Sequence, residues 1–148
     1  MTDPDISTPP VSSPPISSPA RPVLDAVSVV VGDMAATIAF YSRLGLRFEP
    51  GAEQAPHAET SAGSMRVLFD TRAVIESFMP GWTPPAGGHR LALAFACASP
   101  ADVDRDHKAL VAAGYRSVLD PFDAPWGQRY AVIADPDDNP VDLYSAPA

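Results

Sequence analysis

The sequence predicts an α+β domain in which one pattern, strand–helix–strand–strand–strand, is written twice behind a disordered Pro/Ser-rich tail. Three observations carry this reading. Two segments, about 23–80 and 88–146, run through the same order of elements. The helix in each opens on a side-chain cap and closes on a glycine. Residues 1–22 hold seven prolines, five serines and no aromatic residue, a composition that buries too little apolar surface to offset the entropy of ordering it. The expected organisation is therefore a solvated tail over 1–22 and one domain over 23–146.

In the first half, Val27 to Val31 is a β-branched run followed by Asp33, a natural helix N-cap. Met34, Ile38 and Tyr41 recur at helical spacing, with Phe40 and Leu44 beside them, and Gly45 follows as the residue that takes the left-handed conformation past a helix end. Leu46 to Glu49, His57 to Ser61 and Met65 to Asp70 are then expected as three short strands. The second half repeats the scheme. Leu91 to Cys97 is a strand; Ser99-Pro100-Ala101-Asp102 starts a helix with a hydroxyl cap and proline at its first position. Val103, His107 and Leu110 share one helix face, Gly114 closes it, and Ser117 to Leu119, Gln128 to Ala134 and Val141 to Ser145 supply three strands. A connector over 71–88 carries a short helical patch and a Pro/Gly-rich loop.

Composition narrows the function classes. A net charge of −8 argues against binding nucleic acid, whose affinity rests on neutralising phosphates. No stretch reads as a signal peptide or a membrane span, and a lone cysteine, Cys97, leaves no intrachain disulfide and suits a reducing cytoplasm. No nucleophile elbow and no phosphate loop is present.

The Phe40-Tyr41 and Leu44-Gly45-Leu46 elements, the final turn Asp135-Pro136-Asp137-Asp138-Asn139 and the internal repeat together resemble the vicinal-oxygen-chelate superfamily. That superfamily includes glyoxalase I, extradiol dioxygenases, fosfomycin-resistance enzymes and bleomycin-resistance proteins. The resemblance spans about Val23 to Ser145 and implies two βαβββ modules curled into a cup-shaped half-barrel around a ligand, commonly completed by a second copy as a homodimer. One departure is Asp138, where the family usually has glycine; aspartate tolerates positive φ better than most residues, so the turn is expected to survive.

Metal-dependent members of that superfamily carry His, Gln or Glu ligands on four strands facing the cup. The corresponding places here fall on Ala26 and Ala92, with Asp142 in the last strand and no carboxylate in the Met65 strand before Asp70 at its end. One acid does not replace the hydration shell of a divalent ion. No cofactor and no metal site is therefore expected. His89 is expected in the loop entering its strand, His57 and Glu59 as a pair on one strand face, and His107 as a satisfied core histidine.

Alternation then predicts the cup lining. Leu91, Leu93, Phe95 and Cys97 should pack beneath the helices, leaving Ala92, Ala94 and Ala96, with Ala26 and Ser28, to face the cup. Small side chains there leave room for a small molecule, and Phe78, Trp82, Trp126, Tyr130 and Tyr144 supply rings to wall it, with Asp142 as the acid. Pro125-Trp126-Gly127 with Arg129-Tyr130 resembles the corresponding stretch of bleomycin-resistance proteins, which lack a metal and sequester their drug. The expected function is metal-independent binding of a planar or cationic compound. The alternatives are a metal-dependent lyase, isomerase or dioxygenase with a rearranged site including Asp142 and His89 or Glu59, and metal-free acid–base chemistry in the same cup.

Overall fold

The computed structural model describes residues 24–146, and the tail expected over 1–22 lies outside them. Strand β1 (Ala26–Val31) leads into helix α1 (Met34–Arg43), whose first turn is capped by Asp33: its Oδ1 accepts the Ala36 N–H at 3.0 Å. The helix ends as its sequence dictates. Gly45 takes φ +88°, and the Leu46 N–H turns back onto the Tyr41 carbonyl at 3.1 Å. Strands β2 (His57–Ala62) and β3 (Met65–Thr71) form a hairpin, and helix α2 (Arg72–Phe78) follows.

The second half contains β4 (Leu93–Cys97), α3 (Pro100–Ala112), β5 (Ser117–Asp123), β6 (Arg129–Ala134) and β7 (Pro140–Ser145). The repeat is genuine at the level of topology. The first sheet runs β1-β3-β2 and the second β4-β7-β6-β5, and in each the opening strand lies parallel to the last. The architecture is the α+β half-barrel that the sequence predicts.

Two expectations are corrected. Leu46–Glu49 forms no strand, so the first sheet has three strands rather than four. Leu46 and Phe48 are drawn into the core, a 3₁₀ turn at Ala52–Gln54 follows, and the segment touches β2 through a side chain, with Thr60 Oγ donating to the Arg47 carbonyl at 2.7 Å. The strand expected from Leu91 begins at Leu93, and Leu91 is exposed rather than packed.

A single core joins both halves. Val31, Val67 and Phe69 from the first sheet and Ala131, Ile133, Val141 and Leu143 from the second meet Phe40 and Tyr41 of α1 and Val103 and Leu110 of α3. The rings of Phe40 and Tyr115 stack edge to face at 4.8 Å, and Tyr41 lies over Phe69 at 5.1 Å. Among the described residues no helix is long and apolar enough to cross a membrane.

The halves are also tied by a polar clamp. Asp135, buried at the end of β6, accepts the Tyr41 hydroxyl at 2.8 Å, the N–H groups of Asp137 and Asn139 at 2.9 and 2.8 Å, and the Asn139 side-chain amide at 2.8 Å. The turn that follows reaches the first half again: Asp137 Oδ1 accepts the Gly32 N–H at 3.0 Å. A side chain at Gly32 would put its Cβ 3.0 Å from that same oxygen, so any larger residue there makes the Asp137 carboxyl give way. Asp138 sits at φ +65°, the left-handed conformation expected of it. Burial first, with Asp135 nearby, raises the Asp137 carboxyl above its ordinary range even though the Gly32 N–H and Arg72 pull the other way. Burial, then the Asp135 carboxylate, likewise raises the Tyr41 phenol.

Replacing Tyr41 by phenylalanine keeps the ring and leaves Asp135 one donor short in a buried site. Such a loss costs about 1–3 kcal/mol, read as a lower urea midpoint at unchanged slope.

Candidate functional site on the concave face

With one face of each sheet committed to the core, the opposite faces line the inside of the cup, and strand register specifies what each displays. In the first sheet β2 and β3 pair His57 with Asp70, Glu59 with Leu68 and Ser61 with Arg66, while β1 sets Ser28 beside Leu68 and Ala26 beside Arg66. This face is polar. Asp70, nearly buried, accepts His57 Nδ1–H at 2.6 Å and the Ser28 hydroxyl at 3.3 Å. His57 Nε2 faces Glu59 Oε2 at 3.2 Å, and Arg66 bridges Glu59 and Asp25. Both ring nitrogens of His57 face carboxylate oxygens, an arrangement that only the doubly protonated ring satisfies. The hydrogen bonds to Asp70 and then Glu59 raise the His57 pKa above its ordinary value, against a smaller opposing effect of burial.

The second sheet is aromatic. Tyr130 pairs with Tyr144, Val132 with Asp142, and Phe122 with Tyr130, while β4 contributes only Ala94 beside Asp142 and Ala96 beside Tyr144. Trp126 projects from the turn before β6. Its ring meets Tyr130 edge to face at 5.5 Å and Phe122 at 6.3 Å, and Phe122 meets Tyr130 at 6.1 Å. The indole N–H is held by Gln128 Oε1 at 2.8 Å, yet the residue stays 58% exposed, so a ring face remains open. Tyr130 donates to Asp142 Oδ2 at 2.5 Å. Burial, then that hydrogen bond and the charge beside it, push the Tyr130 phenol up to about 12.

The structure brings Trp126, Tyr130, Tyr144 and Asp142 onto one sheet face and puts Ser28 on the matching face of the other sheet. Phe78 is exposed at the end of α2, Trp82 is half-buried just beyond it, and among the described residues neither ring packs on another aromatic ring. Arg129 points away from Asp142 and is held by Asp104 and Asp123. His107 is satisfied by Ser117 Oγ at 2.8 Å, and His89 lies exposed in the loop before β4. Two participants escaped the sequence reading. Phe122 was hidden because Pro121 reads as a strand breaker, whereas β5 is an edge strand where proline is tolerated. Asp70 was seen only as a strand-end acid, although counting back from a two-residue Gly63-Ser64 turn places it opposite His57.

The donor set does not fit a resident divalent ion. Alanines stand beside Asp142 and at the start of β1, the Asp142 oxygen is taken by Tyr130, and among the described residues no three His, Cys, Asp or Glu side chains converge to hold a metal. A surface depression of about 600 Å³ lies at the outer edge of β2, beside the Leu46–Glu49 segment. It is lined by Arg47, Glu49, Glu59 and Arg66 rather than by the rings.

Two modules, β1-α1-β2-β3 and β4-α3-β5-β6-β7, with the cup lining split between their sheets make an open half-barrel. The sequence over residues 23–143 matches the Glyoxalase/Bleomycin resistance protein/Dioxygenase superfamily, and the chain belongs to that family. No curated protein matches it. Among solved structures it is similar to a glyoxalase/bleomycin resistance protein/dioxygenase family enzyme from Burkholderia phytofirmans PsJN, with TM-score 0.72 and 20% identity over 82% of this chain and 97% of that one. It is similar also to lactoylglutathione lyase from Agrobacterium tumefaciens (TM-score 0.59, 19% identity, 87% and 96% covered) and to TioX from Micromonospora sp. ML1 (0.58, 22%, 84% and 98%).

Because the folded-state pKa of His57 is raised, its contribution to stability is complete below the unfolded value near ~6.5 and is lost as pH rises through the folded value. The thermal midpoints of the wild type and His57→Gln should therefore differ most at acidic pH and converge once pH has risen past the raised folded-state value.

Proposed function

We propose that the protein is a metal-independent small-molecule binder that holds a planar or cationic compound against the rings of its second sheet. The observation that carries this reading is the combination of an open indole face at Trp126, backed by Phe122 and Tyr130, with Ala94 and Ala96 on the neighbouring strand leaving room above Asp142. Rings offer contact area at small entropic cost and attract positive charge to their faces, and Asp142 adds an acidic group at the base of the wall. Tyr144 and Ser28 belong to the same lining, while Phe78 and Trp82 would join it only through a movement of the connector. A second copy closing the cup, as a homodimer in a reducing cytoplasm, completes the proposal.

A specific observation favours a second reading, metal-free acid–base chemistry on the same face: Asp70 orients an imidazole whose other nitrogen faces the cup beside Glu59. The binding reading ranks first because His57 is tied to a carboxylate at both nitrogens.

Stacking or cation–π contact contributes about 0.5–2 kcal/mol, so Trp126→Ala should weaken binding of a planar cationic dye roughly two- to thirtyfold, with Trp126→Phe recovering part. Titration and sedimentation on the same variant decide it. Unchanged affinity in an intact assembly removes Trp126 from the site, and a loss that tracks dissociation makes it a structural contact. Near-stoichiometric Zn, Ni, Mn or Fe in protein purified without chelators, lost in Asp142→Ala, would overturn the metal-independent reading.

A further inference from the structure

Among the acids that line the cup, Asp142 stands apart in how its charge is met. On the first sheet Asp70 and Glu59 both face His57, and Arg66 bridges Glu59 and Asp25. On the second, Arg129 is turned away to Asp104 and Asp123. Among the described residues no cationic side chain pairs with Asp142, and the one group that donates to it is the Tyr130 hydroxyl, on Oδ2. The Tyr130 phenol, pushed up to about 12, keeps its proton, so this bond orients the carboxylate without neutralising it. Oδ1 is left without a partner among the described residues. The approach to it is open, because register sets Ala94 beside Asp142 and Ala96 beside Tyr144, and both alanines are exposed.

The rings nearby form a corner. Trp126 and Tyr130 meet at 81°, Trp126 and Phe122 at 88°, and Phe122 and Tyr130 at 67°. Parallel rings make a slot for a flat molecule, whereas rings near right angles wall a compact group and turn the negative faces of their π-systems toward it. Electrostatics separates the candidate ligands further. A neutral flat molecule lying across Tyr130 would strip water from the Asp142 carboxylate and return nothing for it. An anion is repelled by ring faces and acid alike. A cation is attracted by both.

We infer that the second-sheet site takes a protonated amine, whose N–H donates to Asp142 Oδ1 while its apolar arm lies across Tyr130 toward the corner made by Trp126 and Phe122. This deepens the small-molecule reading and rests on it. It narrows a planar or cationic compound to a primary or secondary ammonium with an alkyl or aryl substituent. A quaternary ammonium satisfies the rings but has no hydrogen to give the acid.

The test titrates the full chain at neutral pH with three probes built on one benzyl group. These are N-methylbenzylamine, which is protonated, its quaternary relative benzyltrimethylammonium, and the neutral benzyl methyl ether. The indole N–H signal of Trp126, identified by its loss in Trp126→Phe, reports occupancy. The secondary amine should bind on the order of tenfold more tightly than the ether, as one charge-assisted hydrogen bond provides, with the quaternary ion between them. Asp142→Asn keeps an oxygen for the Tyr130 hydroxyl and removes the charge, so it should bring the amine and ether affinities together. Ala94→Lys, an exposed change that supplies an ammonium from the neighbouring strand, should do the same, and it decides the matter if Asp142→Asn fails to fold. Equal affinity for amine and ether in the wild type overturns the proposal and leaves the binding reading standing. So does an amine preference that survives both substitutions, since that is the diffuse attraction of a chain with net charge −8. A quaternary ion that binds as tightly as the amine removes the N–H contact and the proposal with it. No response of Trp126 to any of the three sinks the aromatic site itself, and this inference falls with it.

Discussion

The carboxylate of Asp135 is the group on which the two halves of this protein depend. It lies at the end of β6 in the second module, yet one of its oxygens takes the hydroxyl of Tyr41 from the first helix, and the turn it organises sends Asp137 to the backbone of Gly32. Each module alone has a sheet with one greasy face and one helix to cover it. What makes a cup of two such units is a fixed angle between them, and hydrophobic packing, being non-directional, sets that angle poorly. A buried acid with four donors arranged around it sets it well. The arrangement costs desolvation, visible in the carboxyl of Asp137, raised first by burial, and in its second oxygen, which is buried and has no hydrogen-bond partner among the described residues.

From that fixed angle the division of the lining follows. Alternation along a strand means that once Val29, Val67 and Phe69 are committed to the core, Ser28, Leu68 and Asp70 must face the cup; once Ala131, Ile133 and Leu143 are committed, Tyr130, Val132, Asp142 and Tyr144 must do so. The repeat therefore duplicates the scaffold without duplicating the chemistry. One sheet offers charges already paired among themselves, the other rings and methyl groups. The two cup-facing surfaces are therefore chemically unlike, so the binding proposed above would suit an extended, two-ended molecule better than a symmetric one.

Much of this was legible in the residues. Asp33, Ser99, Gly45 and Gly114 mark both helices because caps and left-handed exits have local chemical causes, and Met34, Tyr41, Val103 and Leu110 mark their buried faces by period. The cup-facing Ala94 and Ala96, and Tyr130 and Asp142, were readable because strand alternation needs no knowledge of distant partners, whereas Trp126, in a turn, came only from the resemblance of its Pro-Trp-Gly triplet. What was not legible depends on competition between local and tertiary demands. Leu46–Glu49 has strand composition, but its two large apolar side chains are worth more in the core than its backbone is in a ladder. Phe122 follows a proline that argues against a strand everywhere except at an edge. The Asp70–His57 contact is set by hairpin register, and Phe78 and Trp82 sit on a connector whose path no local rule specifies.

The missing fourth strand has a consequence for the border of the first sheet. It leaves β2 as the outer border of the first sheet, and β5 borders the second. Exposed borders invite strand addition and fibril growth, and both are guarded here by different means. Along β2, Glu59 and Arg66 on its inner side and Arg47 and Glu49 beside it crowd the approach with charge. Along β5, Pro121 withholds an N–H and two register shifts bend the ladder. Growth by backbone pairing is thus discouraged along these two of the four sheet edges, by charge at β2 and by proline and irregular register at β5.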